Sequence, residues 1–235
     1  MKDSKLTYEQ KRLDKDLNII VISTLVILGL YMLLRNKISL FTDNRNIHVL
    51  LRTLVAALFQ FGLAGLGITI VAIIRKENFF SYGLKKEGAG LSIIFSFMCF
   101  LPHLIFLFAA NQVDYYLPFQ SVWLTNDILE SSFPVNIIGL VIIITAWGFF
   151  EGFNYVFICD KINRRYPNKN RWINHGAATC AVICILIHGM VGVSLRNIME
   201  MITVLIIIYG MLMVKEITGN AWGCIFIFVF LWNAF

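Results

Sequence analysis

Apolar residues in this chain come in long runs separated by short polar patches, a pattern unlike the one-sided stripe of a soluble helix. Seven runs can be drawn, at residues 18–34, 49–74, 90–110, 134–159, 173–193, 197–214 and 220–235. A crossing helix needs about 20 predominantly apolar residues. The pattern therefore predicts an all-α protein, a polytopic transmembrane helix bundle of about seven spans, the last run being short for a full crossing. Residues 1–17 are expected to form a cytosolic N-terminal segment and residues 18–235 a single membrane domain. Charges of both signs before the first run, and no small-residue cleavage pattern after Leu34, predict an anchoring span rather than a cleaved signal. Gly62, Gly65 and Gly67 in the second run permit close helix approach in lipid, and Arg52 near its start is expected to snorkel.

Composition supports this picture. The chain is 58% hydrophobic and 14% charged, with a mean hydropathy of +0.75, far from the usage of soluble domains. The net charge of +6 comes from Lys and Arg in short patches flanking the apolar runs. No contiguous basic face with interleaved aromatics appears, which excludes nucleic acid as a partner and makes the lipid bilayer the expected one. If the sides alternate from a cytosolic N-terminus, the inner segments hold fifteen Lys or Arg and the outer ones five. That bias predicts an inside N-terminus, an outside C-terminus and an integral protein of a plasma membrane, expected to be prokaryotic. The five cysteines have no disulfide-like or zinc-ribbon spacing.

Against this apolar background a few polar residues stand out. Glu151 lies in the aromatic stretch WGFFEGFNYVF at residues 147–157. A carboxylate at membrane depth costs on the order of 3 kcal/mol on insertion scales, so it is expected to face a polar cavity and to have a task. Asn154, three residues on, projects to the same side of a helix. His188 closes the apolar run AVICILIHG and Asn233 lies near the end of GCIFIFVFLWNAF. A Glu beside a His can hold and deprotonate water, and an Asn amide can donate to a developing oxyanion. The same residue types also form interhelical hydrogen bonds with no chemistry attached, and spacing alone leaves both readings standing. Helix rise predicts that Glu151 and His188 meet in one cavity open to the cytosol. Cys180, Cys184 and His188 share one helix stripe, but three ligands spread over about 12 Å cannot meet at one ion. A divalent metal is thus not indicated, and no cofactor is called for. P-loop, HExxH, GxSxG and dinucleotide fingerprints are absent from the sequence.

The order Glu151, then His188, then Asn233 near the end of a last apolar helix resembles the CPBP, or Abi, family of intramembrane proteases, which includes the CAAX prenyl endopeptidases. The resemblance covers roughly residues 75–235, and NFFSYGLKKEGAGLSIIF is similar to the leader that precedes a span in many bacterial members. The family's first motif, E-E-x-x-x-R, is matched at Glu151 but has Gly152 for its second Glu and Val156 for its Arg. The second, F-x-x-x-H, keeps His188 with Cys184 in the aromatic position. The third, H-x-x-x-N, keeps Asn233 with Val229 for its His. The resemblance implies that Glu151 and His188 activate water, that Asn233 is the remaining half of the oxyanion site, and that the substrate is a membrane-associated or prenylated peptide. Asn154 is then a candidate hydrogen-bond partner for Glu151 in place of the missing Arg.

A noncatalytic membrane scaffold or immunity-type protein that uses the cavity for binding is the alternative from another class. A small transporter with a Glu/His proton relay is the third, opposed by the lack of paired inverted segments. The charge bias makes a prediction of its own. In a cysteine-free background, single cysteines at Lys86 and Asn168 should label only from the cytosolic side and one at Gln112 only from outside; labelling of position 168 from outside would overturn the orientation.

Overall fold

The computed structural model describes residues 6–170 and 172–235, all helices, turns and irregular segments with no strand among them. Lys2, Lys5 and Arg171, which contribute to the charge bias, lie outside the described residues. The first helix, α1 (Tyr8–Thr42), begins at a capping box in which Thr7 Oγ1 accepts from the Gln10 amide and Gln10 Oε1 accepts from the Thr7 amide. It starts ten residues before the expected span, so its first turns carry acidic residues beyond the apolar run. Val21, Leu25 and Leu33 on α1 are 52%, 58% and 83% exposed, a bare apolar face that a water-soluble helix would not keep.

The second run folds as two helices, α2 (Val49–Ala64) and α3 (Leu66–Arg75), bent 58° at Gly65. A Cβ at Gly67 would run into Ser23 and the Ile20 backbone, so glycine here sets how closely α3 lies on α1. A 3-10 turn (Phe79–Tyr82) leads to α4 (Ala89–Ala109), which contains Pro102. The connection after it carries only the short α5 (Thr125–Leu129). A long continuous helix comes next: α6 (Val135–Ile143), a π-helical stretch (Ile144–Phe150) and α7 (Glu151–Arg165). The chain ends with α8 (His175–Ile187), α9 (Leu195–Thr218), α10 (Trp222–Phe226) and a second π-helical stretch (Ile227–Leu231).

Four helices among the described residues are long and apolar enough to cross a membrane, five if the bent pair counts as one span. These make the chain an integral membrane protein. Two of the seven expected spans fall short: α8 has 13 residues and the segment Trp222–Leu231 is also a short apolar helix, against the ~20 that a crossing needs. The apolar run at 173–193 overstates its helix because the chain turns at His188 and Gly189, the latter at φ 65°.

The end of the bundle that holds the basic segments is a network of charges. Lys161 on α7 is fully buried. Its Nζ donates to Asp16 Oδ2 on α1 at 3.1 Å and to both oxygens of Glu77, after α3, at 2.8 and 2.7 Å. Arg75 Nε donates to the other Asp16 oxygen at 2.6 Å, and Arg165 Nε to Asp14 Oδ1 at 2.6 Å. Arg52 is likewise buried rather than snorkelling. Its guanidinium donates to the Thr42 carbonyl at 3.0 Å and to Asp127 at 2.7 Å, because Asp127 is brought over it by the connection between α4 and α6. A buried charge is tolerated when it is paired and hydrogen-bonded, and is costly when a partner is removed.

Burial alone would push the Glu77 carboxyl up, but the hydrogen bonds from Lys161 and Tyr82 outweigh it and hold the group below the usual carboxylate range. A depressed folded value means stability that is present above the ordinary carboxylate range and lost as pH falls through the depressed value. Lys161→Met should therefore cost about 3–5 kcal/mol at pH 7, the usual range for breaking a buried ion pair. Thermal denaturation of the purified protein in detergent, run from pH 7 to pH 3, should show a lower Tm and a shallower acid loss in the variant than in the wild type.

Candidate functional site

Glu151 is the first residue of α7, directly after the π-helical stretch, and is 7% exposed. Each π turn adds a residue to the helical circuit and rotates the next turns relative to a regular helix, which is why such turns gather at functional sites. Asn233 has the same setting, two residues after the second π-helical stretch. The two stretches pack against each other. Their approach depends on small residues, since a Cβ at Gly152 would lie 3.1 Å from the Cys224 carbonyl oxygen and 3.1 Å from the Phe228 ring. One turn earlier, a Cβ at Gly148 would meet Val229. Gly152 and Val229, two of the four departures from the protease motifs, thus both lie where these segments pack.

The structure brings Glu151 and His188 together. His188 caps the C-terminus of α8 and its Nε2 stands 3.6 Å from Glu151 Oε1. That is longer than a formed N–H···O hydrogen bond and shorter than a bridging water requires. The second carboxylate oxygen is occupied by a residue from the other side of the bundle: Gln60 Nε2 on α2 donates to Glu151 Oε2 at 2.8 Å. Asn154 does not take that place. It is half-buried one turn along α7 and makes no side-chain hydrogen bond to Glu151 among the described residues, because the carboxylate points toward α2. Trp232 stacks edge-on against the His188 ring with centroids 5.6 Å apart.

His188 and Asn233 line one cavity of about 330 Å³, together with His103, Gln112, Ser121 and Glu200. Asn233 Oδ1 accepts from Ser121 Oγ at 3.0 Å, and the Asn233 backbone carbonyl accepts from the Ser121 amide at 3.2 Å. Asn233 Nδ2 is buried with no hydrogen-bond partner, an unusual state for an amide donor. The cavity sits where α4 and α8 end and α9 begins, which is the end of the bundle opposite Lys161, Arg75 and Lys215. A cavity open to the cytosol and a cytosolic basic end, both expected from the sequence, are therefore incompatible: hydropathy places residues along helices but does not say which end of a helix pair opens. Among the described residues no group of three His, Cys, Asp or Glu side chains is placed to hold a metal ion. Cys180 and Cys184 are buried on α8, facing the core rather than an ion.

His103 is tied to α9: its Nδ1 lies 2.9 Å from Thr203 Oγ1, and that hydroxyl is also 2.9 Å from the Glu200 carbonyl. Sequence reasoning does not single out Gln60, His103, Ser121 or Glu200 as site residues. Gln60 and His103 carry the signal that identifies Glu151, a polar side chain inside an apolar run. Glu200 and Ser121 carry none.

No protein-family model, no curated protein and no solved structure matches the chain.

The Gln60 contact can be isolated. Gln60→Leu removes the one hydrogen bond to a buried carboxylate and should destabilise the protein by about 1–3 kcal/mol. In a Glu151→Leu background, where both partners are apolar, the same change should cost close to nothing. Equal Tm losses in the two backgrounds would show that the Gln60–Glu151 pair is not coupled.

Proposed function

We propose that this protein is an intramembrane endopeptidase, similar in its chemistry to the CPBP proteases, acting on a membrane-associated peptide. The observation that carries the reading is the approach of Glu151 and His188 to 3.6 Å beside a cavity that His188 and Asn233 both line. Water admitted between the two side chains as they part attacks the scissile carbonyl carbon while Glu151 takes its proton as general base and His188 orients it. Asn233 Nδ2, a buried donor without a partner among the described residues, donates to the oxyanion as it forms, once its side chain turns toward the cavity. The proton then passes to the leaving amine as the tetrahedral intermediate collapses. With the basic end on the cytosolic side, the cavity receives its substrate from the outer face of the membrane.

A second reading is favoured by one specific feature. The close contact of Gly152 with the last helix leaves little room for a second carboxylate at that position, and Val229 places an apolar side chain where the protease motif has an imidazole. A noncatalytic scaffold that binds a partner through the cavity would be expected to lose them.

Cleavage of candidate membrane peptides by the reconstituted protein separates the two. Glu151→Gln should lower turnover by about 100-fold to 10,000-fold, because the amide cannot accept the proton, and His188→Ala nearly as much. Asn233→Ala should cost about 100-fold to 1,000-fold, as for loss of one oxyanion donor. Unchanged cleavage in Glu151→Gln would sink the mechanism. A cellular phenotype that survives Glu151→Gln, with no cleavage detected in any variant, would move the assignment to the scaffold.

A further inference from the structure

The cavity contains more chemistry than hydrolysis of a generic peptide uses. Glu200, in the second turn of α9, lines it, and no salt bridge to a Lys, Arg or His engages this carboxylate among the described residues. Arg196, one turn earlier, is exposed and makes no ion pair with it. His103 faces the same space, with its Nδ1 against Thr203 Oγ1. No Lys or Arg is among the lining residues, whereas Phe100, Trp232 and Phe235 present aromatic rings to it. A carboxylate, a neutral imidazole and aromatic faces share one property: each can attract a cation bearing N–H donors.

We infer that the cavity binds a protonated amine of the substrate, with Glu200 as its counter-charge, His103 Nε2 as a hydrogen-bond acceptor and an aromatic face beneath it. The inference rests on the hydrolase reading for the identity of the ligand as a peptide, and it adds a specificity: a free amino terminus or a lysine side chain lying close to the scissile bond. Anionic or neutral groups at that place meet Glu200 without a compensating donor and are disfavoured.

The experiment measures binding rather than cleavage, on the full chain carrying Glu151→Gln, purified in detergent. The probes are three short peptides of one apolar sequence: one with a free amino terminus and no lysine, one N-acetylated with a single lysine, and one N-acetylated without lysine. At least one amine-bearing peptide should bind about tenfold tighter than the peptide with no amine, the scale of one charge-assisted hydrogen bond. Which of the two does so identifies the amine's source. The preference should shrink as salt is raised and should vanish on adding Glu200→Gln, with Tm unchanged to show that the fold is intact. Equal binding of all three peptides, or a preference that persists in Glu200→Gln, would overturn the inference. Its failure is distinct from that of the protease reading: amine preference without any cleavage by the wild-type chain leaves the site and removes the chemistry, and cleavage without amine preference does the reverse.

Discussion

Much of this structure depends on keeping one ammonium group out of water. Lys161 lies fully buried in α7, and only the simultaneous presence of Asp16 and Glu77 makes that position tolerable. Each partner comes from a different part of the chain, α1 and the segment after α3, so the requirement to pair the charge fixes the height and rotation of three elements at once. Arg75 on Asp16 and Tyr82 on Glu77 then satisfy the remaining carboxylate lone pairs. Hydrophobic packing could not supply this registration, since in lipid one apolar stripe is nearly as good as another. With α7 held at Lys161, its first residue, Glu151, is held about 15 Å away along the axis at 1.5 Å per residue, between Gln60 and His188.

The other end of α7 is defined by a different constraint. The two π-helical stretches meet over Gly148 and Gly152, and the side chains of Val229 and Phe228 take up the space those glycines leave. The stretches widen the backbone circuit immediately before Glu151 and before Asn233, so both polar side chains emerge from helices whose phase has just been shifted. A larger residue at Gly148 or Gly152 would press on the last helix and displace both site residues.

This distinction explains what could be read from the sequence. The long helices were legible because hydropathy over twenty residues measures the same transfer energy that the bilayer imposes. The proximity of Glu151 and His188, 3.6 Å apart, was legible because intramembrane polar residues are few, but the expectation of one shared cavity was not met, since His188 lines the cavity and Glu151 does not. The extent of α8 was not: residues 190–193 are as apolar as the helix before them, and the chain turns there for a backbone reason, Gly189 at positive φ, that hydropathy does not sense. Nor were the partners of Arg52 and Glu151. Asp127 and Gln60 are 75 and 91 residues away along the chain, and neither contact leaves a periodic trace. Asn154 failed as a partner for the same reason in reverse, because sharing a helix face with Glu151 does not make its amide point where the carboxylate points.

Charge is handled differently around the cavity than around Lys161. At the basic end every carboxylate near Lys161 has a cation against it, and the net effect is cohesion. The titratable side chains that line the cavity are Glu200, His103 and His188, with no Lys or Arg among the lining residues, although the paired Arg52 and Asp127 lie toward the same end of the bundle. A protein that needed those groups only for stability would be expected to pair them, as it pairs Asp16, Glu77 and Asp127. Glu200, with no ion pair among the described residues, and the buried Asn233 amide beside the same cavity are polar capacities that folding leaves unused. A ligand that completed them would recover the free energy that an unmade hydrogen bond costs in a low-dielectric site.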